Sequence, residues 1–166
     1  GLILMLPFAG GAAYTTYQLS RPETLAVRQA DRLAAAWLDE NLPPQTRVGS
    51  WDAGLIGYHA RVPIINLDGV VNDVQWLHAM RDGSAGRRLQ DEDVRWIANH
   101  SFFEDGECTS IAKSLGRLDP AGRYSLKLVK AWPYEQVGRI NGVAGGRHKM
   151  ATCVVQVIQP KTPEVP

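Results

Sequence analysis

Residues 46–73, TRVGSWDAGLIGYHARVPIINLDGVVND, contain two apolar runs that each end in an aspartate. The first run, VGSW, precedes Asp52, and the second, VPIINL, precedes Asp68. The second run is continuous, which is typical of a strand buried on both faces of a sheet. Two strands separated by a short connection, which can hold one helical segment through Leu55 to Tyr58, favour a parallel pair with a right-handed crossover. This segment therefore predicts an α/β fold.

A long amphipathic helix is predicted before the first strand. Ser20-Arg-Pro-Glu23 has the spacing of a capping box, and Pro22 is tolerated in a first helical turn. Apolar residues then recur every three or four positions until Pro43-Pro44 ends the helix. The apolar set is Ala26, Val27, Ala30, Leu33, Ala34, Trp37 and Leu38, and the spacing places Arg28, Asp31, Arg32 and Asp39 on the other faces.

The segment after residue 73 adds one helix and a third strand. Asn72 or Asp73 can cap a helix that carries Val74, Leu77 and Met80 and ends near Gly83. Residues 83–93 are polar and are predicted to be helical or looped, and VRWIAN at 94–99 is the third strand. SFFEDGECTS at 101–110 is expected to break regular structure.

The C-terminal third predicts antiparallel strands. Residues 124–132 alternate apolar and polar side chains, as a strand with one solvated side does. Asn141-Gly142 is a turn signal, residues 145–149 (GGRHK) form a small basic loop, and MATCVVQVIQ at 150–159 is a final strand. The predicted fold class is α/β, with a small partly parallel sheet, flanking helices and a more antiparallel C-terminal half.

Residues 1–20 contain no charged side chain. They are either a buried segment or the end of a membrane helix, and we expect the second: residues 1–19 as the end of a truncated transmembrane helix, residues 20–159 as a single α/β domain, and residues 160–166 as an extended tail. The formal net charge of +1 provides no general field that would attract nucleic acid, so no nucleic-acid partner is expected.

Three hypotheses address the two acidic strand ends. Asp52 can be a helix N-cap while Asp68-Gly69 forms a turn. Alternatively, Asp52, Asp68 and Asn72 converge at the carboxyl ends of parallel strands, where open α/β sheets bind ligands such as sugar hydroxyls or a cation. A nucleotide site is the third hypothesis, because DAGLIG at 52–57 aligns with G-x-G-x-x-G. However, Asp52 replaces its first glycine, and a carboxylate there would repel a phosphate.

The remaining reactive residue types show no catalytic or metal-binding spacing. The four histidines have no H-x-H or H-E-x-x-H pattern, no G-x-S-x-G elbow occurs, and two cysteines are too few for a zinc site or a disulfide scaffold. Cys108 and Cys153 could pair outside the cytoplasm, and two buried free thiols are the alternative. No cofactor and no metal are expected.

A stretch of the chain resembles a known family. AAAWLDENLPPQTRVGSWDAGLIGYHARVPIINLDGVVND, residues 34–73, is similar to the C-terminal soluble domain of bacterial polytopic membrane glycosyltransferases that use polyprenyl-phosphate sugars, and of related uncharacterised membrane proteins. VRWIAN at 94–99 looks like the next strand of that domain. The residues that match the recurring pattern are Asp52, Gly54, Gly57, Tyr58, Asp68, Gly69 and Asn72.

The resemblance implies a membrane body upstream in the same polypeptide and a place for this domain on the periplasmic or extracellular side of the bacterial cytoplasmic membrane. The resemblance also places the catalytic carboxylate in that membrane body. This domain would therefore be accessory, covering the active cavity or receiving the acceptor glycan. Candidate substrate-binding residues are Asp52, Tyr58, Asp68 and Asn72. The alternatives are a soluble Rossmann-like nucleotide-binding enzyme that uses residues 52–57 and Asp68, or a structural, partner-binding module. Outside the cytoplasm, we predict a Cys108–Cys153 disulfide.

Overall fold

A computed structural model describes residues 21–68, 74–118, 122, 124–140 and 143–158. These residues contain five helices and six strands. The helices are α1 (Pro22–Asn41), α2 (Ala53–His59), α3 (Val74–Asp82), α4 (Ala85–Asp91) and α5 (Thr109–Leu118). The strands are β1 (Val48–Ser50), β2 (Ile64–Asn66), β3 (Trp96–Glu104), β4 (Glu107–Cys108), β5 (Ser125–Ile140) and β6 (Val143–Ile158).

The strands form a mixed sheet in the order β2-β1-β3-β6-β5, and β4 pairs with β3 outside that path. Strand β1 is parallel to both β2 and β3. Strand β6 is antiparallel to both β3 and β5. The predicted α/β class, with a parallel first part and an antiparallel C-terminal part, is therefore confirmed.

Alternating side chains of the central strands pack into two separate apolar layers. On one face, Ala98 and Val154 pack with α1 and α2, through residues such as Leu38 and Ile56. On the other face, Ile97 and its β6 partner Val155 pack with α3, α4 and α5. We call these the α1 face and the α5 face. A sheet covered on both faces explains why its central strands are apolar at consecutive positions.

Strand pairing extends the C-terminal half beyond the predicted limits. The expected irregularity from residue 101 is wrong as far as Glu104, because Ser101 and Phe102 continue the β3 ladder opposite Ala151 and Met150. Residues 145–149 are likewise part of β6 and not a loop, since their pairing with β5 supplies the backbone hydrogen bonds that a loop would lack. Both β5 and β6 are 16 residues long.

Helix α5 was missed in the sequence, although Ile111, Leu115 and Leu118 have helical spacing and are buried on the α5 face. It follows directly on Cys108, the last residue of β4. Cys108 forms the predicted disulfide with Cys153 of β6 across 45 residues of sequence. The bond therefore joins the start of α5 to a central strand of the sheet.

Several predictions fall at the ends of the described ranges. The N-cap residue of α1 is Arg21, without a side-chain cap, and not Ser20. Ser20 lies outside the described residues, as do the expected membrane segment 1–19, the tail 160–166, Asn72 and the Asn141-Gly142 turn. Among the helices of the described ranges, none is long and apolar enough to cross a membrane.

Candidate functional site

Helix α1 buries a carboxylate on the face that packs against the sheet. Asp31 is only 2% exposed, which corrects its expected position on a solvated face. It lies at helical spacing from Ala34 and Leu38, and both of these are fully buried. Leu33, expected in the apolar stripe, is instead 44% exposed. The buried stripe of α1 is therefore rotated from the prediction and carries one acidic residue.

Two sheet residues hold the Asp31 carboxylate. The Thr152 hydroxyl of β6 donates to Asp31 Oδ1 at 3.0 Å. His100 Nε2 of β3 lies 3.4 Å from Asp31 Oδ2. Thr152 and His100 are cross-strand partners, so strand pairing itself brings both groups under the helix. Each carboxylate oxygen thus faces its own partner, which meets the requirement that a buried charge be hydrogen-bonded.

The imidazole of His100 connects the buried carboxylate to a tyrosine. His100 Nδ1 lies 3.0 Å from the Tyr134 hydroxyl of β5 and 3.4 Å from Thr152 Oγ1. Because a carboxylate can only accept, Nε2 must carry a proton, and in the neutral ring Nδ1 then accepts from the Tyr134 O–H. Asp31, His100, Thr152 and Tyr134 therefore form one hydrogen-bonded group, which we call the His100 cluster.

Charge and burial act in opposite directions on His100. Burial lowers the pKa of His100, but the hydrogen bond that His100 donates to Asp31 and the charges of Asp31 and Asp52 outweigh it and raise the pKa above its ordinary value. Burial also raises the pKa of Tyr134 well above its ordinary range, with a further contribution from the charge of Asp31. Tyr134 is consequently a neutral hydroxyl at physiological pH and can donate a hydrogen bond.

Asp52 places a second carboxylate beside the same imidazole. Its Oδ2 lies 3.8 Å from His100 Nε2, and its side chain is 73% exposed, whereas the His100 side chain is 18% exposed. Asp52 occupies the N-cap position of α2, as predicted, but makes no side-chain capping hydrogen bond. Its backbone angles, φ −118° and ψ 70°, lie outside the extended region that N-caps adopt. The carboxylate is therefore directed to His100 and solvent and not to the helix amides.

The turn that carries Asp52 is fixed by Asn99. Asn99 Oδ1 accepts from the backbone amides of Trp51 and Asp52, at 3.0 and 2.8 Å, and lies 3.1 Å from the donating Ser50 hydroxyl. Asn99 precedes His100 in β3, so one strand positions both the imidazole and the turn above it. Asp52 and His100 lie at the carboxyl side of the parallel strands β1 and β3, where ligands bind in open α/β sheets.

The other predicted site residues have different surroundings. Tyr58, at the far end of α2, is 82% exposed, and its ring contacts His59. Asp68 is half-buried, and its backbone amide donates to Asn66 Oδ1 at 2.9 Å. Gly69, the other residue of the predicted turn, lies outside the described residues. Asn72 lies outside the described residues, and of the three candidates that the structure describes, Asp52 is the one placed at the His100 cluster.

Two exposed rings extend the site along the α1 face. Phe102 follows His100 at the next same-face position of β3 and is 41% exposed. Its ring lies 5.7 Å from the exposed His148 ring of β6 in an edge-to-face arrangement. A ligand that hydrogen-bonds to Asp52 and His100 can therefore contact apolar ring surface next to them.

The exposed groups of this site can form hydrogen bonds with a polar ligand. It offers an exposed carboxylate, which accepts hydrogen bonds from hydroxyl groups, beside an imidazole whose Nε2–H is directed to Asp31 and whose Nδ1 is directed to Tyr134. Across the residues that the structure describes, no cluster of three or more His, Cys, Asp or Glu side chains is arranged to hold a metal ion.

The sequence motifs found Asp52 but missed the rest of the cluster. Asp31, His100, Tyr134 and Thr152 come from four separate elements, so no local spacing joins them. One signal was present: Asp31 interrupts a stripe of small and apolar residues at helical spacing. A charge at such a position indicates a buried partner from elsewhere in the chain.

Comparison with known proteins gives a family without an assigned activity. No curated protein and no solved structure matched the chain. The family model described as "Domain of unknown function (DUF8728)" matches residues 18–152, a range that includes Asp31, Asp52, His100, Tyr134 and Thr152. The chain therefore belongs to the DUF8728 family.

Proposed function

We propose that this chain is the extracytoplasmic accessory domain of a membrane glycosyltransferase-like protein and that it receives the hydroxyl-rich acceptor at the opening between Asp52 and His100. The observation that carries this proposal is the position of Asp52. Its carboxylate caps no helix and remains largely exposed, 3.8 Å from an imidazole that is anchored underneath by Asp31.

A sugar suits this opening better than an anionic ligand. Vicinal hydroxyls can donate to the two oxygens of the exposed Asp52 carboxylate, while the Phe102 and His148 rings provide apolar surface for the C–H face of the sugar. A phosphate would be repelled by Asp52 and by the Asp31 charge behind His100. The Asp52 turn is accordingly assigned to the acceptor and not to a nucleotide.

The disulfide supports the proposed compartment. Disulfides persist in the bacterial periplasm and on the cell surface and are rare in the cytosol. Cys108 and Cys153 are paired in the core of the α5 face. In the proposed arrangement the membrane body of the same polypeptide binds the polyprenyl-phosphate sugar and performs the transfer, and this domain contributes acceptor binding on the outer side.

The test has two parts. The complete reading frame should encode several apolar spans upstream of residue 21, and a frame without them removes the membrane assignment. In membranes that contain the full-length protein, Asp52→Asn should raise the acceptor KM about tenfold, as expected for the loss of a charged hydrogen bond, with kcat changed less than twofold.

Asp91→Asn is the matched control, because Asp91 is an exposed carboxylate at the end of α4 on the α5 face. It should leave both kinetic constants unchanged. If Asp52→Asn also leaves KM unchanged, the acceptor role is wrong, and a structural role for the cluster is favoured instead.

A further inference from the structure

A second concave site lies on the α5 face of the sheet, and Tyr134 of the His100 cluster contributes to its lining. A cavity of about 500 Å³ is lined by Phe103, Asp105, Gly106, Pro133, Tyr134, Glu135 and Lys149. Its volume is within the range of about 300–1,000 Å³ found for small-molecule sites. Pro133 and Glu135 alternate with Tyr134 along β5, so their side chains belong to the α5 face, as does Phe103.

One wall of the cavity is a tight hairpin. Asp105 and Gly106 connect β3 to β4, with Glu104 and Glu107 paired on either side. Both turn residues have positive φ, 50° and 84°, as a two-residue type I′ turn requires. The adjoining strand β4 ends at Cys108, whose disulfide to Cys153 fixes the hairpin to β6. The sequence thus encodes a rigid wall with a turn motif and a covalent bond.

The opposite wall is the ribbon of β5 and β6. Glu135 and Lys149 are directly opposite each other on the two strands, and both are exposed. Glu135 also pairs with Arg147 at 3.3 Å. The lining carries Asp105, Glu135 and Lys149, and when Arg147, which pairs with Glu135 from outside the lining, is included, the charges around the cavity sum to zero. Such a rim favours a neutral ligand that exchanges hydrogen bonds over an anion or a cation.

We propose that this cavity binds one neutral sugar ring of the same acceptor glycan, with apolar surface from Phe103 and Pro133 and hydroxyl contacts to Asp105, Glu135 and Lys149. This inference rests on the proposed function and extends it to a second subsite. Strand β5 is at the edge of the sheet, so a glycan can pass around it from the His100 cluster to this cavity. The acceptor class is therefore an oligosaccharide with more than one contacted unit.

The experiment is a titration of the ¹⁵N-labelled chain with maltose, lactose and chitobiose, followed by backbone amide shifts. We expect one group of shifts near His100 and Phe102 and a second near Gly106, Glu135 and Lys149. Asp105→Asn and Lys149→Ala should each weaken the affinity measured from the second group of shifts about fivefold. The affinity measured from the first group should not change. Lys130→Ala is the control, since Lys130 is exposed on β5 outside the cavity.

The outcomes separate the two proposals. Shifts confined to the His100 cluster overturn the second subsite and leave the proposed function intact. Shifts confined to the cavity overturn the assignment of the Asp52 opening, and the absence of shifts at both places removes both sites. Tighter binding of glucosamine or glucuronic acid than of glucose to the cavity contradicts the neutral-ring assignment.

Discussion

The two faces of the sheet are built differently. The α5 face is a continuous apolar core from three helices and the sheet, closed by a disulfide. The α1 face has a smaller apolar cluster, and next to it lies the hydrogen-bonded group of Asp31, His100, Thr152 and Tyr134. Apolar burial and a cross-link stabilise a fold, whereas a buried ion pair contributes little net stability. The comparison assigns stability chiefly to the α5 face and, under the proposed function, the contacts of the acceptor with Asp52 to the α1 face.

Removal of the disulfide should have the largest effect on stability. The bond closes a loop across 45 residues, and chain-entropy arguments give about 4 kcal/mol for a loop of that size. We expect the double variant Cys108→Ala, Cys153→Ala to lose most of that free energy of unfolding in guanidinium titrations. A loss below about 1 kcal/mol would place the stability of the fold elsewhere and remove the contrast between the faces.

Removal of the buried charge should have an intermediate effect. Asp31→Asn keeps the shape of the side chain but takes the carboxylate from Thr152 and His100. We expect a loss of about 2 kcal/mol in the free energy of unfolding, because the imidazole can deprotonate and is not left as an unpaired charge; buried pairs whose partner stays charged lose ~3–5 kcal/mol. A stability equal to that of the wild type would show that the cluster is not coupled to α1.

The contribution of His100 should depend on pH. A histidine whose pKa is raised on folding stabilises the fold fully below its unfolded-state value of about 6.5 and loses that contribution as the pH rises through the folded-state pKa. His100→Gln should therefore cost about 1 kcal/mol at pH 6 and less at pH 9. Urea titrations at both pH values measure the difference. A cost that is constant or larger at pH 9 contradicts the assigned charge interactions.

Removal of the exposed carboxylate should have the smallest effect on stability. The Asp52 side chain is largely in water, so Asp52→Asn should change the free energy of unfolding by less than about 0.5 kcal/mol. Thermal unfolding of wild type and variant tests this. A loss above about 1 kcal/mol would make Asp52 a stabilising residue and weaken its assignment to ligand binding.

Local sequence signals predicted the fold better than the site. The apolar run 62–67 and the Pro43-Pro44 break predicted a parallel strand and the end of α1, because each depends on nearby residues. The Cys108–Cys153 disulfide was predicted from the expected compartment, because the cysteine count alone left free thiols as an alternative. Phe102 and residues 145–149 were misjudged because their regular structure depends on pairing with distant strands. The contact between Asp31 and His100 could not be predicted for the same reason, because it forms only when α1 packs on β3.

The most direct measurement is the response of the His100 imidazole nitrogens to added lactose, maltose and chitobiose in ¹⁵N-labelled wild type and Asp52→Asn. The account predicts saturable shifts of the His100 Nε2 resonance in the wild type with at least one sugar. The apparent affinity derived from these shifts should be at least tenfold weaker in Asp52→Asn than in the wild type. The resonances of His78 on α3 should not change in either protein. His100 shifts that are equal in the two proteins, or absent in the wild type with all three sugars, would contradict it.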